Sequence, residues 1–496
     1  MIWKSPKTHY VVGGRMLLCR RGCMVPEGLR TQLTAGEVAK AMEGRLMSGR
    51  LEMPVDAVSI DTRSASRGDL FFAIQGNRFD GHHFVDEAIG RGACGAVVSE
   101  SFTLPSSSAS SEPVMIVVSD TVRALQLLGR YVRRQSGSKV VAITGSTGKT
   151  STKEMTADLL SGSYCVVRNE GNLNNHIGLP LSLIKLLSKP DVAVVELGMS
   201  QAGEIGALVA IAEPEVRVWT NVSEAHLSSF DSIEHIADAK AEILEGADRS
   251  DKLVANANDV RVMTHAARFA GQVTTFGVEV PADVFAEHVQ DYGLDGVKAS
   301  VRTSEGQVEV HVPLLGRGQL ANALAAITVA LQFQISLNDI ASRIEKLCPL
   351  PHRGQVIKLK NGITVIDDSY NSNPAALTAL CNAVRFTNVS GRRIAVIGEM
   401  LELGSQSSQL HKKCGQMIAA CGFQELVVIG SDYANDFTTA AVAAGMSPGS
   451  VQQADTSETA VPLVLDLMQA GDLVVVKGSR GIRTDIVVEG ITRGYA

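Results

Sequence analysis

From about residue 120 onward, short unbroken apolar runs alternate with longer stretches in which apolar positions recur every three or four residues. Runs at 139–144, 192–197 and 216–221 are rich in valine and isoleucine and too short for helices, so they predict strands buried on both faces. A second alternating block predicts strands at Ile363–Asp367, Ile394–Ile397, Leu426–Ile429 and Leu473–Val476. Helices are expected between them near 375–385, 405–420, 433–443 and 456–469, which makes this block a doubly wound domain. Upstream, a helix over Thr34–Met42 and short strands at Ala57–Ile60, Leu70–Ala73, Ala96–Val98 and Val114–Val118 outline a smaller α/β unit.

The low-complexity run SFTLPSSSASSEP (101–113) reads as a mobile surface turn. The two prolines of CPLPHRG (348–354) forbid a continuing helix and mark a linker. The expected class is therefore α/β with three domains: a small α/β domain (31–119), a central parallel-sheet domain (120–349) and a C-terminal doubly wound, Rossmann-like domain (350–496).

A chain of 496 residues exceeds one core. The net charge of −6 argues against a general nucleic-acid binder. The eight cysteines show neither a CxxC pair nor metal-ligand spacing, which fits reduced thiols in a cytoplasmic protein. No apolar run approaches a membrane span. Residues 1–30 carry Lys4, Lys7, Arg15, Arg20, Arg21 and Arg30 against the single acid Glu27, and predict a poorly ordered basic extension with Met24 as an alternative start.

The chemistry begins at KVVAITGSTGKTSTK (139–153). A strand, a turn of small residues (Gly145, Ser146, Thr147, Gly148) and a helix opening at Lys149, Thr150 and Ser151 suit a phosphate. Lys149 supplies a point charge for β/γ-phosphates, and the Thr150 hydroxyl a Mg²⁺ ligand. A strict P-loop has glycine where Ile143 stands, so this is a shortened GxxGKT variant.

Other polar residues fall at predicted strand ends, where doubly wound sheets gather function: Glu196, Asn221, Asp367-Asp368, Glu399 and Lys477. Glu196 reads as a metal-site acid or as a helix cap. His226 follows the 216–221 strand. On the helix Ser232–Glu245, Lys240 shares the apolar stripe of Ile233, Ile236, Ala237, Ile243 and Leu244. An inward lysine needs an anionic partner or a modification, unless it snorkels. Lys477 and Arg480 offer cations to an anionic substrate, and Pro374 suits the first turn of a helix.

Together these runs resemble the Mur ligases, the ATP-dependent amide-forming enzymes of peptidoglycan precursor synthesis, over roughly residues 31–496. GSTGKTSTKE is similar to the family's ATP loop, ELGMSQAGEI to its metal-binding acid strand and NVSEAHL to its histidine motif. GQLANALAA places Asn322 where that family contacts adenine, and AKAEI places Lys240 where it often carries a carbamylated lysine. DDSYNSNP, GEMLELG and SIDTRSASRGDLFFAIQGNRFDGHHF resemble the family member that joins UDP-N-acetylmuramoyl-tripeptide to D-alanyl-D-alanine, the last cytoplasmic step of UDP-MurNAc-pentapeptide synthesis. The Asp-Asn-Pro-Arg motif expected of the tripeptide-forming ligase is absent. The linker departs from the family: Pro351-His352-Arg353-Gly354 stands where Gly-Arg is usual.

The resemblance implies ATP and two Mg²⁺ ions. Lys149 and Thr150 would serve the ATP side with Asn322, Arg353 and Asp368, and Glu196, His226 and carbamylated Lys240 a second metal. Asp61, Thr62, Arg63, Asp80, Gly81 and His82 would bind the UDP-sugar, and Asn174 and Asn175 the peptide or phosphate. Tyr370, Asn371, Asn373 and Lys477 would close over the substrate from the C-terminal domain. A cytoplasmic monomer is expected. The competing readings are a folylpolyglutamate synthase-like ligase, whose first domain would lack TRSASRGDLFFAIQG, and a nucleotide-dependent regulatory module, which would lack the second-metal residues.

Overall fold

The computed structural model describes residues 33–76, 78–103, 113–224, 227–385 and 387–495. The basic extension, most of the 101–113 loop and His226 lie outside the described residues.

In chain order the first elements are β1 (Leu33–Thr34), α1 (Ala35–Ala41), β2 (Arg45–Ser48), β3 (Pro54–Val55), β4 (Ala57–Ser59), β5 (Asp69–Phe72), α2 (Val85–Gly90), β6 (Gly95–Ser99), β7 (Val114–Val118) and α3 (Thr121–Ser136). Thr34 starts α1 with a capping box: its hydroxyl accepts from Glu37 N, and Glu37 reaches back to Thr34 N. Strands β2-β7-β6-β5-β4 form one sheet, parallel except for β2 against β7, over a core of Phe71, Ala73, Val85, Ala96 and Val98. β2 lies outside the sequence expectation because its side chains alternate between exposed and half-buried.

The middle elements are β8 (Lys139–Thr144), α4 (Lys149–Ser161), β9 (Val166–Arg168), α5 (Gly178–Ile184), β10 (Val192–Glu196), α6 (Glu204–Ala212), β11 (Val216–Trp219) and α7 (Ile233–Ala241). They continue with β12 (Lys252–Asn256), α8 (Val260–Ala266), β13 (Gln272–Val278), β14 (Val284–Asp291), β15 (Val297–Thr303), β16 (Gly306–Val312), α9 (Arg317–Gln332) and α10 (Leu337–Ile344). Their sheet has nine strands in the order β16-β15-β14-β13-β12-β11-β8-β10-β9. The expectation of a parallel sheet is corrected at one edge, where β14–β15 and β15–β16 pair antiparallel. The last pair is a hairpin turning at Gly306 (φ +135°), which needs no crossover helix. β11 also ends two residues before the predicted Asn221, because Thr220 and Asn221 turn toward the 145–148 loop.

The last elements are β17 (Gln355–Lys358), β18 (Thr364–Asp368), α11 (Pro374–Arg385), β19 (Arg393–Gly398), α12 (Ser407–Ala420), β20 (Glu425–Ile429), α13 (Ala434–Ala443), β21 (Val451–Ala454), α14 (Ser457–Leu467), β22 (Leu473–Lys477) and α15 (Asp485–Gly494). The sheet order is β17-β18-β22-β19-β20-β21, parallel apart from edge strand β17. Val365, Val396, Val427 and Val474 pack its core against Ala460, Val464, Val487 and Ile491. Among the described residues no helix is long and apolar enough to cross a membrane.

At the end of β19, Glu399 caps α13: its Oε1 accepts from Tyr433 N (2.5 Å) and Ala434 N (2.6 Å). His411 sits fully buried behind it. Its Nε2 accepts from Met400 N at 3.0 Å and its Nδ1 donates to Ser407 O at 2.7 Å, which fixes a neutral ring. Burial lowers its pKa from the ordinary 6.5. The folded state therefore rejects a proton that the unfolded chain binds near pH 6.5, so this contribution is complete above that pH and fades as pH falls below it. Replacing His411 by Gln is expected to flatten the fall of the thermal midpoint between pH 7.5 and pH 5.5. Parallel slopes for the two proteins in thermal scans would refute the assignment.

Candidate functional site

The 145–148 turn joins β8 to α4, and two residues in it lack side chains for steric reasons. Gly145 has φ +150°, and a Cβ there would overlap Thr220 Oγ1. Gly148 has φ +78°, and a Cβ there would overlap Asn322 Oδ1. The exit of β11 clamps the turn from below. Thr220 Oγ1 donates to Thr147 O at 2.7 Å, and Asn221 both donates to Thr147 O (3.1 Å) and accepts from Thr147 N (2.9 Å). Ser146 N donates to Asn221 O, and Ser146 Oγ to Ser223 O. The Ser146 and Thr147 amides thus serve the clamp.

α4 opens at Lys149, whose Nζ folds back to Gly145 O (2.8 Å) and Ser146 O (3.3 Å). Asn322, 9% exposed on α9, accepts from Thr152 Oγ1 and donates to Gln319 Oε1. It is therefore a wall of the turn. Ser151 and Arg353 line a narrow recess with Met155, Leu314, Leu347 and Pro349. Arg353 Nη2 donates to Thr150 Oγ1 at 3.0 Å, and its guanidinium lies 4.0 Å from the centre of the Tyr370 ring.

Lys240 is 1% exposed on α7 among Ile236, Ala237 and Ala239, so it does not snorkel. Burial first, and the Lys149 charge second, hold its amine well below the usual lysine range. Among the described residues it has no ion-pair partner. The predicted helix over 232–245 is α-helical only to Ala241 and tightens into a 3₁₀ turn over Glu242–Leu244.

Lys477 is buried too, but its Nζ pairs with Asp368 Oδ2 (2.6 Å) and donates to Asn371 O (2.8 Å). This follows from register, since Asp368 and Lys477 are neighbours in the β18–β22 pair. Asn373 Oδ1 caps α11 through Ala376 N.

Glu196, 3% exposed, ends β10 and accepts from Asn174 Nδ2 at 2.8 Å. The next helix, α6, begins at Glu204, eight residues further on. Asn175 Oδ1 caps α5 through Ile177 N and Gly178 N. Asn169, a residue the sequence reading passed over, is 1% exposed and accepts from Glu196 N at 2.9 Å. Its position just past β9 was the available signal.

Asp61, Thr62 and Arg63 follow β4, and Asp80, Gly81 and His82 follow β5. Arg63 grips Asp61 (Nη2–Oδ2 2.5 Å) and holds its carboxyl below the usual range, while its own side chain stays 85% exposed. Thr62 is buried, and a Cβ on Gly81 would crowd Ile74. His82 Nε2 accepts from Ser99 N, so its Nδ1 donates to Asp80 Oδ1 at 2.6 Å.

Three family models match this chain: the Mur ligase family catalytic domain over residues 54–134, the Mur ligase middle domain over 143–330 and the Mur ligase glutamate ligase domain over 352–480. The UDP-N-acetylmuramoyl-tripeptide–D-alanyl-D-alanine ligase of Bacillus subtilis is 31% identical over 465 residues, covering 92% of this chain and 97% of the relative. The Escherichia coli enzyme of that name is 33% identical, covering 92% and 98%. A crystal structure of MurF from Acinetobacter baumannii matches with a TM-score of 0.83 at 30% identity, covering 93% and 99%. MurF of Thermotoga maritima in complex with ADP matches with a TM-score of 0.75 at 27% identity, covering 88% and 97%.

Gly148→Ala is expected to lower stability through two separable effects, the Asn322 clash and a left-handed alanine costing about 1–2 kcal/mol. Adding Asn322→Ala should remove the first and leave the second. Denaturant midpoints of the single and double variants test this, and strict additivity of the two losses would overturn it.

Proposed function

The chain belongs to the Mur ligase family, and on that premise we propose that it is an ATP-dependent amide ligase joining D-alanyl-D-alanine to the terminal carboxylate of UDP-N-acetylmuramoyl-tripeptide. The observation that carries this reading is the extent of the match: relatives bearing that name align over 465 and 466 residues, through all three domains.

ATP transfers its γ-phosphoryl group to the substrate carboxylate, giving ADP and an acyl phosphate. The dipeptide amine attacks the acyl carbon, loses a proton, and the tetrahedral adduct collapses to amide and phosphate. Bringing two anions together is a task of positioning and charge neutralisation. Lys149 and Arg353 are the cations we assign to the phosphates, with Asn322 and Asp368 on the nucleotide. Support comes from the contacts that already draw Lys149 onto the 145–148 turn and Arg353 onto Thr150.

Mg²⁺ favours hard oxygen donors, and the Thr150 hydroxyl and the Glu196 carboxylate fit that preference. Bound there, the ions would neutralise phosphate charge. Lys240 joins them only after modification. Burial and the Lys149 charge push its amine toward the neutral form that reacts with CO₂, and the carbamate so formed adds two oxygens that share one negative charge. We assign Asp61–Arg63 and Asp80–His82 to the UDP-sugar, and Tyr370, Asn371 and Lys477 to the peptide side. The cytoplasm and a monomeric state remain our reading for this chain.

Phosphate release measured with the UDP-tripeptide should depend on D-alanyl-D-alanine; release that ignores the dipeptide would sink the assignment. Lys149→Ala is expected to lower turnover at least about 10²-fold with the fold retained, and unchanged ADP formation would remove Lys149 from the ATP site. Lys240→Ala should be nearly inactive while substrate binding changes much less, and short carboxylates such as acetate should restore part of the rate. A bare, ordered lysine in a crystal structure holding substrates and Mg²⁺ would exclude the carbamate.

A further inference from the structure

The linker residue His352 takes φ +63°, a left-handed backbone that glycine meets freely and a histidine meets against steric resistance. Its contacts are specific. Nδ1 lies 2.9 Å from Asp367 Oδ2 and 3.3 Å from Ser369 Oγ, and its carbonyl accepts from Tyr370 N at 3.1 Å. Asp367 is 2% exposed, and its other oxygen accepts from Ser369 N and Ser369 Oγ. The Asp367 Oδ2 therefore faces the imidazole from a carboxylate whose position is already fixed. Arg353 comes next in the chain, stacked on Tyr370 and bonded to Thr150. Arg480 approaches the same ring at 5.9 Å.

We propose that His352 is a positioning residue: its Nδ1–Asp367 bond latches the linker to the end of β18 in the one turn that delivers Arg353 onto Tyr370 and Thr150. Backbone and side chain cooperate in this. The Tyr370 amide holds the carbonyl, Asp367 holds the ring, and together they set the direction in which the Arg353 side chain leaves. Arg353 has many rotamers, and a fixed root removes much of that freedom before any ligand arrives. The effect on catalysis rests on the ATP-dependent reading above; the latch itself does not.

Two substitutions separate side chain from backbone. Glycine accepts the left-handed conformation but drops the bond to Asp367. Asparagine also tolerates that conformation, and its Nδ2 stands two bonds from Cβ, as histidine Nδ1 does. The readouts are amide hydrogen exchange in the peptide carrying Tyr370, the ATP dependence of phosphate release, and the thermal midpoint. His352→Gly is expected to keep the thermal midpoint, speed exchange at Tyr370 and raise the half-saturating ATP concentration about tenfold, the scale of one misplaced charge-assisted contact. His352→Asn should stay close to wild type in both. Unchanged exchange in the glycine variant, or equal loss in both variants, would overturn the proposal. Faster exchange in His352→Gly from a wild-type protein that ignores ATP would leave the latch standing and reject the functional reading instead.

Discussion

The rest of the central site depends on a steric constraint in the turn between β8 and α4. Gly145 lies against the Thr220 hydroxyl and Gly148 against the Asn322 amide, each closer than any Cβ allows. Thr220 also holds Thr147 O, and Asn322 holds Thr152, so the turn is wedged between the exit of β11 and the α9 helix. That wedge fixes where α4 starts. The start of α4 in turn places Lys149 and Thr150, and through them the charge felt by Lys240 and the partner found by Arg353.

Two lysines show how one side chain can answer burial in opposite ways. Lys477 and Lys240 are 2% and 1% exposed. Lys477 meets Asp368, its neighbour across the β18–β22 pair, and the two charges satisfy each other at 2.6 Å. Lys240 is buried on α7 with Ile236, Ala237 and Ala239 and feels the field of a second ammonium, and among the described residues it has no ion-pair partner. Its amine is driven toward the neutral, nucleophilic form, which is the physical basis for assigning a modification here and an ion pair there.

The linker connects these centres. His352 and Arg353 are adjacent in sequence, yet one reaches back to Asp367 and Ser369 and the other forward to Thr150. The DDSYNSNP run thereby does several jobs at once: Asp367 anchors the linker, Asp368 pairs with Lys477, Tyr370 carries Arg353, and Asn373 caps α11.

How much of this was legible in the chain varies with the range of the interaction. The strands at 139–144 and 114–118, the helix opening at Lys149 and the inward face of Lys240 follow from local periodicity, and the structure contains each of them. Edge strands β2 and β17 did not, because half-exposed strands carry a weak apolar signal. Asn169 was passed over, since nothing local shows that it meets Glu196, 27 residues away. Asn175, Asn373 and Glu399 looked like binding groups and have oxygens engaged in helix caps. The sequence by itself determined the elements, the glycine positions and the residue types available for phosphate and metal chemistry, because these rest on neighbours within a turn or two. Only the tertiary structure decided which polar groups became clamps, caps or ion pairs, because a buried donor or acceptor takes the partner that folding brings to it, from anywhere in the chain.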